Sequence, residues 1–347
     1  MLSEKQILEI REHLDTSQNP LFFFDNDNDG LASFLLFRRF IERGRGIPIK
    51  SFPDLNVTYF RKVVELKSDY IFILDKPVVS KEFIAKAKEH NIPIVWIDHH
   101  KVEKPEEDYI NYYNPFYNDE TTEPVSYLSY KITNNKKDMW IAMIGCISDC
   151  YMPDFYPDFE KNFPELTVKN PKSPFQLLYD SEIGKIARIL DFSLKDTTTN
   201  VVNMLKFMFN VESPIDILQE DTKTKQLLKR YDLINEKYQK LMEKARKQIN
   251  ENLLYFKYSG DLSLSSNISN QLIYEFPDKV IVVIYVRAET VNISMRGKRD
   301  MLKLTRDCIE GIPGATGGGH ENATGIRIDL GNLPLFKKRL EGFVNKS

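Results

Sequence analysis

The residues of this chain with the types and spacing to hold a cation and move a proton are aspartates and histidines. Asp25, Asp27 and Asp29 crowd into the run Asp25-Asn26-Asp27-Asn28-Asp29-Gly30, and Asp75, Asp98-His99-His100 and Asp149 follow at wide intervals. Neighbouring carboxylates repel one another unless a cation or hydrogen bonds offset their charge. Asp25 and Asp27, two apart on an extended chain, point the same way, which suits a hard cation. Taken alone, the run is equally well a loop with an aspartate cap on the next helix. Carboxylates together with imidazole suit manganese, with magnesium as the alternative, better than an all-oxygen calcium site or a thiolate zinc site. A carboxylate shared between two ions about 3.5–4 Å apart is the arrangement that activates a water and clamps a phosphoryl group.

These residues follow apolar runs that read as strands. Leu21-Phe22-Phe23-Phe24 leads into Asp25, Tyr70-Ile71-Phe72-Ile73-Leu74 into Asp75, and Ile94-Val95-Trp96-Ile97 into Asp98. Helical periods over 31–41, 59–66 and 81–90, the last capped by Ser80, alternate with them, and 47–52 is a further strand candidate. Such alternation implies βαβ units and a parallel sheet buried on both faces, with ligands held beyond the carboxyl ends of its strands. Two more helices are expected over 121–132 and 138–147, the second delivering Asp149. Residues 151–174, rich in Pro, Asp and aromatics, read as a surface excursion, 174–218 as helical pieces, and 223–250 as a long charged helix linking two domains. Beyond it, β-prone runs at 254–258, 280–286 and 291–295, a helix over 300–310 and the segment Gly311–Gly325 form a smaller α/β domain. The expected boundaries are 1–190, 191–252 and 253–347.

Composition narrows the classes. The chain is 42% hydrophobic and 28% charged, as in ordinary globular proteins, and no apolar run approaches the roughly 20 residues of a membrane span. Its start reads as an amphipathic helix rather than a signal peptide, and three cysteines make a disulfide framework unlikely, so a reducing cytoplasm is expected. Cys146 and Cys150, four apart in an apolar period, are both expected in the core. Net charge is −2, from 48 basic and 50 acidic residues, so no global field draws in a long duplex. The cluster Arg38, Arg39, Arg43, Arg45 reads as a solvated helix face ahead of a nucleic-acid track.

In the second domain, successive amides around Gly317-Gly318-Gly319 can approach a phosphate as an anion nest, with Arg296 and His320 as further donors.

Taken together, Asp25-Asn26-Asp27-Asn28-Asp29-Gly30, the strand ending at Asp75, the Asp98-His99-His100 triplet and Asp149 resemble the four motifs of the DHH phosphoesterases. Gly314-Ala315-Thr316-Gly317-Gly318-Gly319-His320, with Ser294-Met295-Arg296-Gly297 upstream, resembles the DHH-associated domain. The resemblance covers nearly the whole chain and implies a parallel-sheet DHH domain with flanking helices, a long linking helix, a smaller DHH-associated domain and an active site in the cleft between them. It also implies two manganese ions: Asp25 on one, Asp27, His99 and Asp149 on the other, and Asp75 bridging. Asp98 would orient its neighbours, although direct ligation stays open. His100 would serve the scissile phosphate as charge stabiliser or proton donor, and Asp29 would cap the helix starting at Gly30. Several branches of the family carry a histidine where this chain has Leu21; RecJ-type exonucleases share its lack. The implied activity is removal of nucleotides from an end of single-stranded DNA or RNA. Open beside it are a nanoRNase-like enzyme for short oligonucleotides or 3′-phosphoadenosine 5′-phosphate, and a RecJ-related scaffold among replication or repair proteins.

Overall fold

A computed structural model describes residues 1–51 and 54–344, which divide into two compact units, Met1–Tyr231 and Asp232–Ser347. The first is built on five parallel strands: β1 (Pro20–Asp25), β2 (Arg45–Ile49), β3 (Tyr70–Leu74), β4 (Ile94–Ile97) and β5 (Ile110–Tyr113), in the order β2-β1-β3-β4-β5. The chain leaves β1 toward β2 on one side and returns to β3 on the other. The switch point of the sheet therefore lies at the carboxyl end of β1, where the acidic run begins. Part of the expected strand at 47–52, Phe52, lies outside the described residues.

Phe22, Phe23 and Phe24 are all fully buried because the sheet is covered on both faces. Phe23 joins Leu21, Ile71, Ile73, Ile94 and Trp96 against Phe60 and Val63 of α3 (Phe60–Glu65) and Phe83 and Ala87 of α4 (Lys81–Glu89). α1 (Glu4–Thr16) starts the chain and α2 (Asn28–Ile41) follows the acidic run. Phe22 stacks on Phe72 at 4.9 Å and Phe24 on Phe34 of α2 at 5.1 Å. Each such side chain contributes about 1.5–3 kcal/mol of transfer free energy, so this three-residue run anchors the sheet. α2 packs on α5 (Val125–Thr133) and α6 (Met139–Ser148), and α7 (Glu182–Leu194) packs on α6.

Several sequence expectations are corrected here. Residues 151–174 do not lie wholly on the surface: they include a helix, Tyr156–Asn162, and bury Phe155, Phe159 and Leu166, because the aromatics provide the apolar face that periodicity failed to reveal. Cys146 is buried, but Cys150 is exposed, since α6 ends at Ser148 and Cys150 takes a left-handed turn with φ 57°. Arg39 forks onto Asp138 at 2.8 Å and donates to the Met208 and Val211 carbonyls; Arg43 donates to the Ser17, Leu14 and Asp15 carbonyls; Arg38 donates to Gly44 and covers the Phe209 ring. These three arginines tie off helix ends rather than form a solvated face or a phosphate track, whereas Arg45, at the start of β2, is exposed.

α8 (Lys225–Arg246) is the expected long helix and crosses from the first unit into the second. The second unit has strands β6 (Leu253–Ser259), β7 (Val280–Arg287), β8 (Thr290–Arg296), β9 (Thr316–His320) and β10 (Ala323–Asp329), ordered β9-β10-β8-β7-β6. Only β6 and β7 are parallel, and the helix between them, α9 (Ser265–Glu275), supplies the crossover. α10 (Met301–Ile309) and α11 (Leu333–Val344) cover the sheet through Leu304, Cys308, Phe336 and Leu340. Among the described residues no helix is long and apolar enough to cross a membrane.

Gly30 fixes how closely α2 meets β1. A Cβ there would lie 2.5 Å from the Asp25 carbonyl oxygen and 2.7 Å from its nitrogen, both backbone atoms that cannot rotate away. Gly30→Ala is therefore expected to destabilise the first unit by about 1–3 kcal/mol. An unchanged urea midpoint in the variant would refute this packing.

Candidate metal centre

The sheet register brings the strand-end carboxylates together. Phe24 pairs with Leu74 and Leu74 with Ile97, so the next residues, Asp25, Asp75 and Asp98, stand side by side along one edge. Asp75 turns the chain there with φ 58°, a left-handed conformation uncommon for a residue with a Cβ, while its N–H bonds the Ile97 carbonyl at 3.0 Å. Asp25, Asp27 and Asp75 offer oxygens within 4.8 Å of one another, and so do the donors of Asp29, His99 and Asp149. A further group joins Asp75, Asp98 and His100. The residues expected as ligands thus converge, with Asp27 on the side of Asp25 and Asp75, and Asp29 beside His99 and Asp149.

Each histidine is oriented. His99 Nδ1 lies 3.2 Å from the Thr122 carbonyl, so Nδ1 carries the hydrogen, and Nε2 stands 3.3 Å from Asp75 Oδ1 and 3.6 Å from Asp149 Oδ2. Backbone anchoring of one ring nitrogen to free the other is the usual support of a metal-binding imidazole. His100 Nδ1 contacts Asp98 Oδ1 at 2.7 Å, and fully buried Asp98 also accepts from Tyr112 Oη at 3.4 Å. Asn114 donates to Tyr112 Oη and to the His100 carbonyl, both at 2.9 Å. Asp98 thereby holds the ring of His100 and leaves its Nε2 on the far side.

Asp27, not Asp29, takes the cap of α2. α2 begins at Asn28, and its N-cap is Asp27, whose Oδ1 accepts from the Gly30 N–H at 3.0 Å. Asp29 caps a different helix. It accepts from the Val125 and Ser126 amides at 2.8 and 2.9 Å and from the Ser126 hydroxyl, at the start of α5, which has no cap of its own. Asp29 therefore does not cap the helix it precedes in sequence: it is inside the first turn, and its side chain meets free amides elsewhere. Lys76 went unnoticed in the sequence. Buried beside Asp75, it donates from Nζ to Asp25 Oδ1 at 2.9 Å and to the Ser51 carbonyl at 3.0 Å. A lysine directly after a strand-end aspartate was the available signal.

The electrostatics suit a divalent cation. Burial, then the charges of Asp25 and Asp29, raise the Asp27 carboxyl well above the usual range; burial, then Asp29 and Asp27, do the same to Asp75. Burial and the Asp149 charge push Asp29 up to about 6. Burial disfavours the charged form of His99, but Asp75 and Asp149 overcome it and hold its pKa well above the ordinary value. Buried Asn26 Oδ1 and Asn28 Oδ1 accept no hydrogen bond, and Asp75 Oδ1 faces His99 Nε2 at 3.3 Å. Concentrated negative charge, orphaned oxygens and an imidazole with an anchored Nδ1 together fit a hard or borderline cation.

Comparison with known proteins shows the family and the fold. Residues 21–148 match the DHH family N-terminal domain and residues 250–346 match the DHHA1 domain. The chain belongs to the DHH family. No curated protein sequence matches it. Its fold is similar to that of Mn²⁺-complexed RecJ from Thermus thermophilus (13% identity, TM-score 0.69), covering 99% of this chain and 54% of that one. The chain thus spans about half the length of that RecJ. An exonuclease RecJ bound to manganese is similar at 13% identity and TM-score 0.65, over 100% of this chain and 96% of that one. The DHH domain of PF0399, described as a member of the s1p family of ribosomal proteins, is similar at 15% identity and TM-score 0.67, over 96% and 89%.

In the DHHA1 unit the Gly-rich segment departs from expectation. Gly317, Gly318 and Gly319 lie in the edge strand β9, paired with Ile326, Gly325 and Thr324 of β10. Successive amides of an extended strand alternate in direction, so they form no nest. Gly319 has φ 137° and passes close to the backbone at Ala323 and Thr324. Arg296, at the end of β8, donates to Asn270 Oδ1 at 2.7 Å and to the Met295 carbonyl at 2.8 Å; His320 ends β9 opposite Ala323.

Raised carboxyl pKa values favour the folded metal-free protein at low pH: this stability is present below the ordinary carboxylate range near 3.8 and is lost as pH rises through about 6. A cation needs the ionised carboxylates and competes with those protons. Mn²⁺ is expected to raise Tm strongly near pH 7.5 and only weakly near pH 5, on the order of tenfold weaker binding per lost pH unit where one proton is displaced. Equal Mn²⁺-induced shifts at both pH values in differential scanning calorimetry would contradict the site.

Proposed function

We propose that this chain is a manganese-dependent phosphodiesterase that hydrolyses single-stranded nucleic acid from an end. The observation that carries the reading is the in-register row of Asp25, Asp75 and Asp98, met by His99 Nε2 and Asp149. Asp25, Asp27, Asp75, His99 and Asp149 are the residues assigned to the metal, with Mg²⁺ as the other candidate. When bound, the metal supplies Lewis acidity and charge neutralisation for phosphoryl transfer. The chain's own residues do the rest. Asp98 fixes His100 through Nδ1, so that the far ring nitrogen serves the leaving oxygen as a proton donor. Thr122 fixes the tautomer of His99. Asp27 and Asp29, each engaged by backbone amides, hold the acidic run against its own repulsion. In the DHHA1 unit, Arg296, Gly317, Gly318, Gly319 and His320 are assigned to the substrate, with the open outer edge of β9 offering backbone donors.

A second reading, a short-oligonucleotide phosphodiesterase, is favoured by charge. The 48 basic residues are matched by 50 acidic ones, and Arg38, Arg39 and Arg43 are committed to carbonyl and ring contacts, which leaves Arg45 as the one exposed arginine of that cluster, too little for a basic track along a long strand.

Asp75→Ala is expected to abolish hydrolysis with saturating Mn²⁺, because the side chain touches both ends of the row; near wild-type turnover would sink the assignment. With end-labelled DNA and RNA of two to about thirty nucleotides, the exonuclease reading expects progressive trimming of the long strands. Cleavage confined to dinucleotides would overturn it in favour of the short-substrate reading.

A further inference from the structure

Two divalent ions are what the family resemblance implies for the acidic row, yet a cation from the chain already stands in it. Lys76 is among the largest fully buried side chains of the molecule, at 1% exposure. A buried ammonium is held only where a carboxylate and hydrogen bonds offset its desolvation. Lys76 Nζ has the Asp25 carboxylate at 2.9 Å and the Ser51 carbonyl at 3.0 Å, and its own backbone carbonyl is pinned by Trp96 Nε1 at 2.8 Å. The left-handed turn at Asp75 lets consecutive residues, one anionic and one cationic, serve the same row of carboxylates. Asp25, the residue assigned to the first ion, is the one that Lys76 neutralises. A divalent ion sharing that oxygen would stand beside a like charge only a few ångströms away. His99 Nε2 lies toward Asp75 and Asp149, at the other end of the row.

We propose that the Lys76 ammonium takes the place of one of the two divalent ions, so that the chain binds a single Mn²⁺ at the end of the row formed by Asp75, His99 and Asp149. This rests on the metal-dependent phosphodiesterase reading and alters its stoichiometry. The lysine is a fixed monovalent charge that neutralises Asp25 and faces the same edge of the sheet.

The test is a count of bound Mn²⁺ in the full chain by isothermal titration calorimetry and equilibrium dialysis, with electron paramagnetic resonance to separate isolated from spin-coupled ions. Wild type is expected to bind one ion per chain with the spectrum of an isolated centre. Lys76→Met, which keeps the apolar stem, and Lys76→Gln are expected to bind two, with a spin-coupled signal. Two coupled ions in the wild type overturn the proposal and leave the phosphodiesterase reading standing; this holds even if neither variant folds. One ion in wild type and in a folded variant also overturns it, since the lysine would not be what excludes the second. No bound Mn²⁺ in wild type removes the metal reading itself.

Discussion

Negative charge gathered at the carboxyl edge of a doubly covered parallel sheet is the constraint to which the rest of the first unit answers. The hydrophobic strands are responsible for it: burying Phe22 to Phe24, Ile71 to Leu74 and Ile94 to Ile97 in matched register leaves Asp25, Asp75 and Asp98 no choice but to emerge together. Each carboxylate raises the cost of ionising the next. The structure answers with four positive partners. Asp27 takes an amide at the start of α2, Asp29 two amides at the start of α5, Asp25 the ammonium of Lys76, and Asp75 and Asp149 the edge of His99. Helix N-termini carry partial positive charge, so two of the four are supplied by the backbone.

The helices are packed to make this possible. Gly145 of α6 faces Ser126 and Ala32, where any side chain would collide, so α2, α5 and α6 approach closely. That approach carries Asp149, at the end of α6, and Ser126, at the start of α5, to the same carboxyl edge. Asn28 extends it by donating to Ser148 Oγ and to the Ala187 carbonyl of α7, each at 2.9 Å. A helix that contributes no ligand thereby steadies the acidic loop.

The positions of the site residues were legible in the sequence wherever they followed from strand endings. An apolar run that stops at an aspartate fixes where that aspartate lies once the sheet is parallel, and Asp25, Asp75 and the Asp98-His99-His100 triplet all conform. What stayed hidden depends on contacts between segments far apart in the chain. Asp29 meets Val125 and Ser126 across nearly a hundred positions, and Arg39 meets Asp138 and the Met208 carbonyl; no local period encodes such pairs. The glycines at 317–319 misled for a different reason. Gly permits a nest but does not require one, and the partner strand Ala323–Asp329 draws them into an extended edge.

Leu21 illustrates how geometry revises a motif comparison. Where the family resemblance leads to an expectation of histidine, this chain has an apolar residue. In the fold, Leu21 pairs with Ile71 in the interior of β1, packed among Phe23, Ile71 and Ile73. Four residues of strand separate it from Asp25, about 13 Å at the usual rise of about 3.3 Å per residue. An imidazole at position 21 would be buried in hydrocarbon and could not share an ion with Asp25. Because β1 extends unbroken to Asp25, the strand keeps residue 21 away from that carboxylate, and the positive charge beside Asp25 comes from a neighbouring strand end. Residue 76, one step past the end of β3, is such a position. The continuation of β1 up to its carboxylate thus accounts for the leucine, and the lysine beside Asp75 supplies Asp25 with its positive partner.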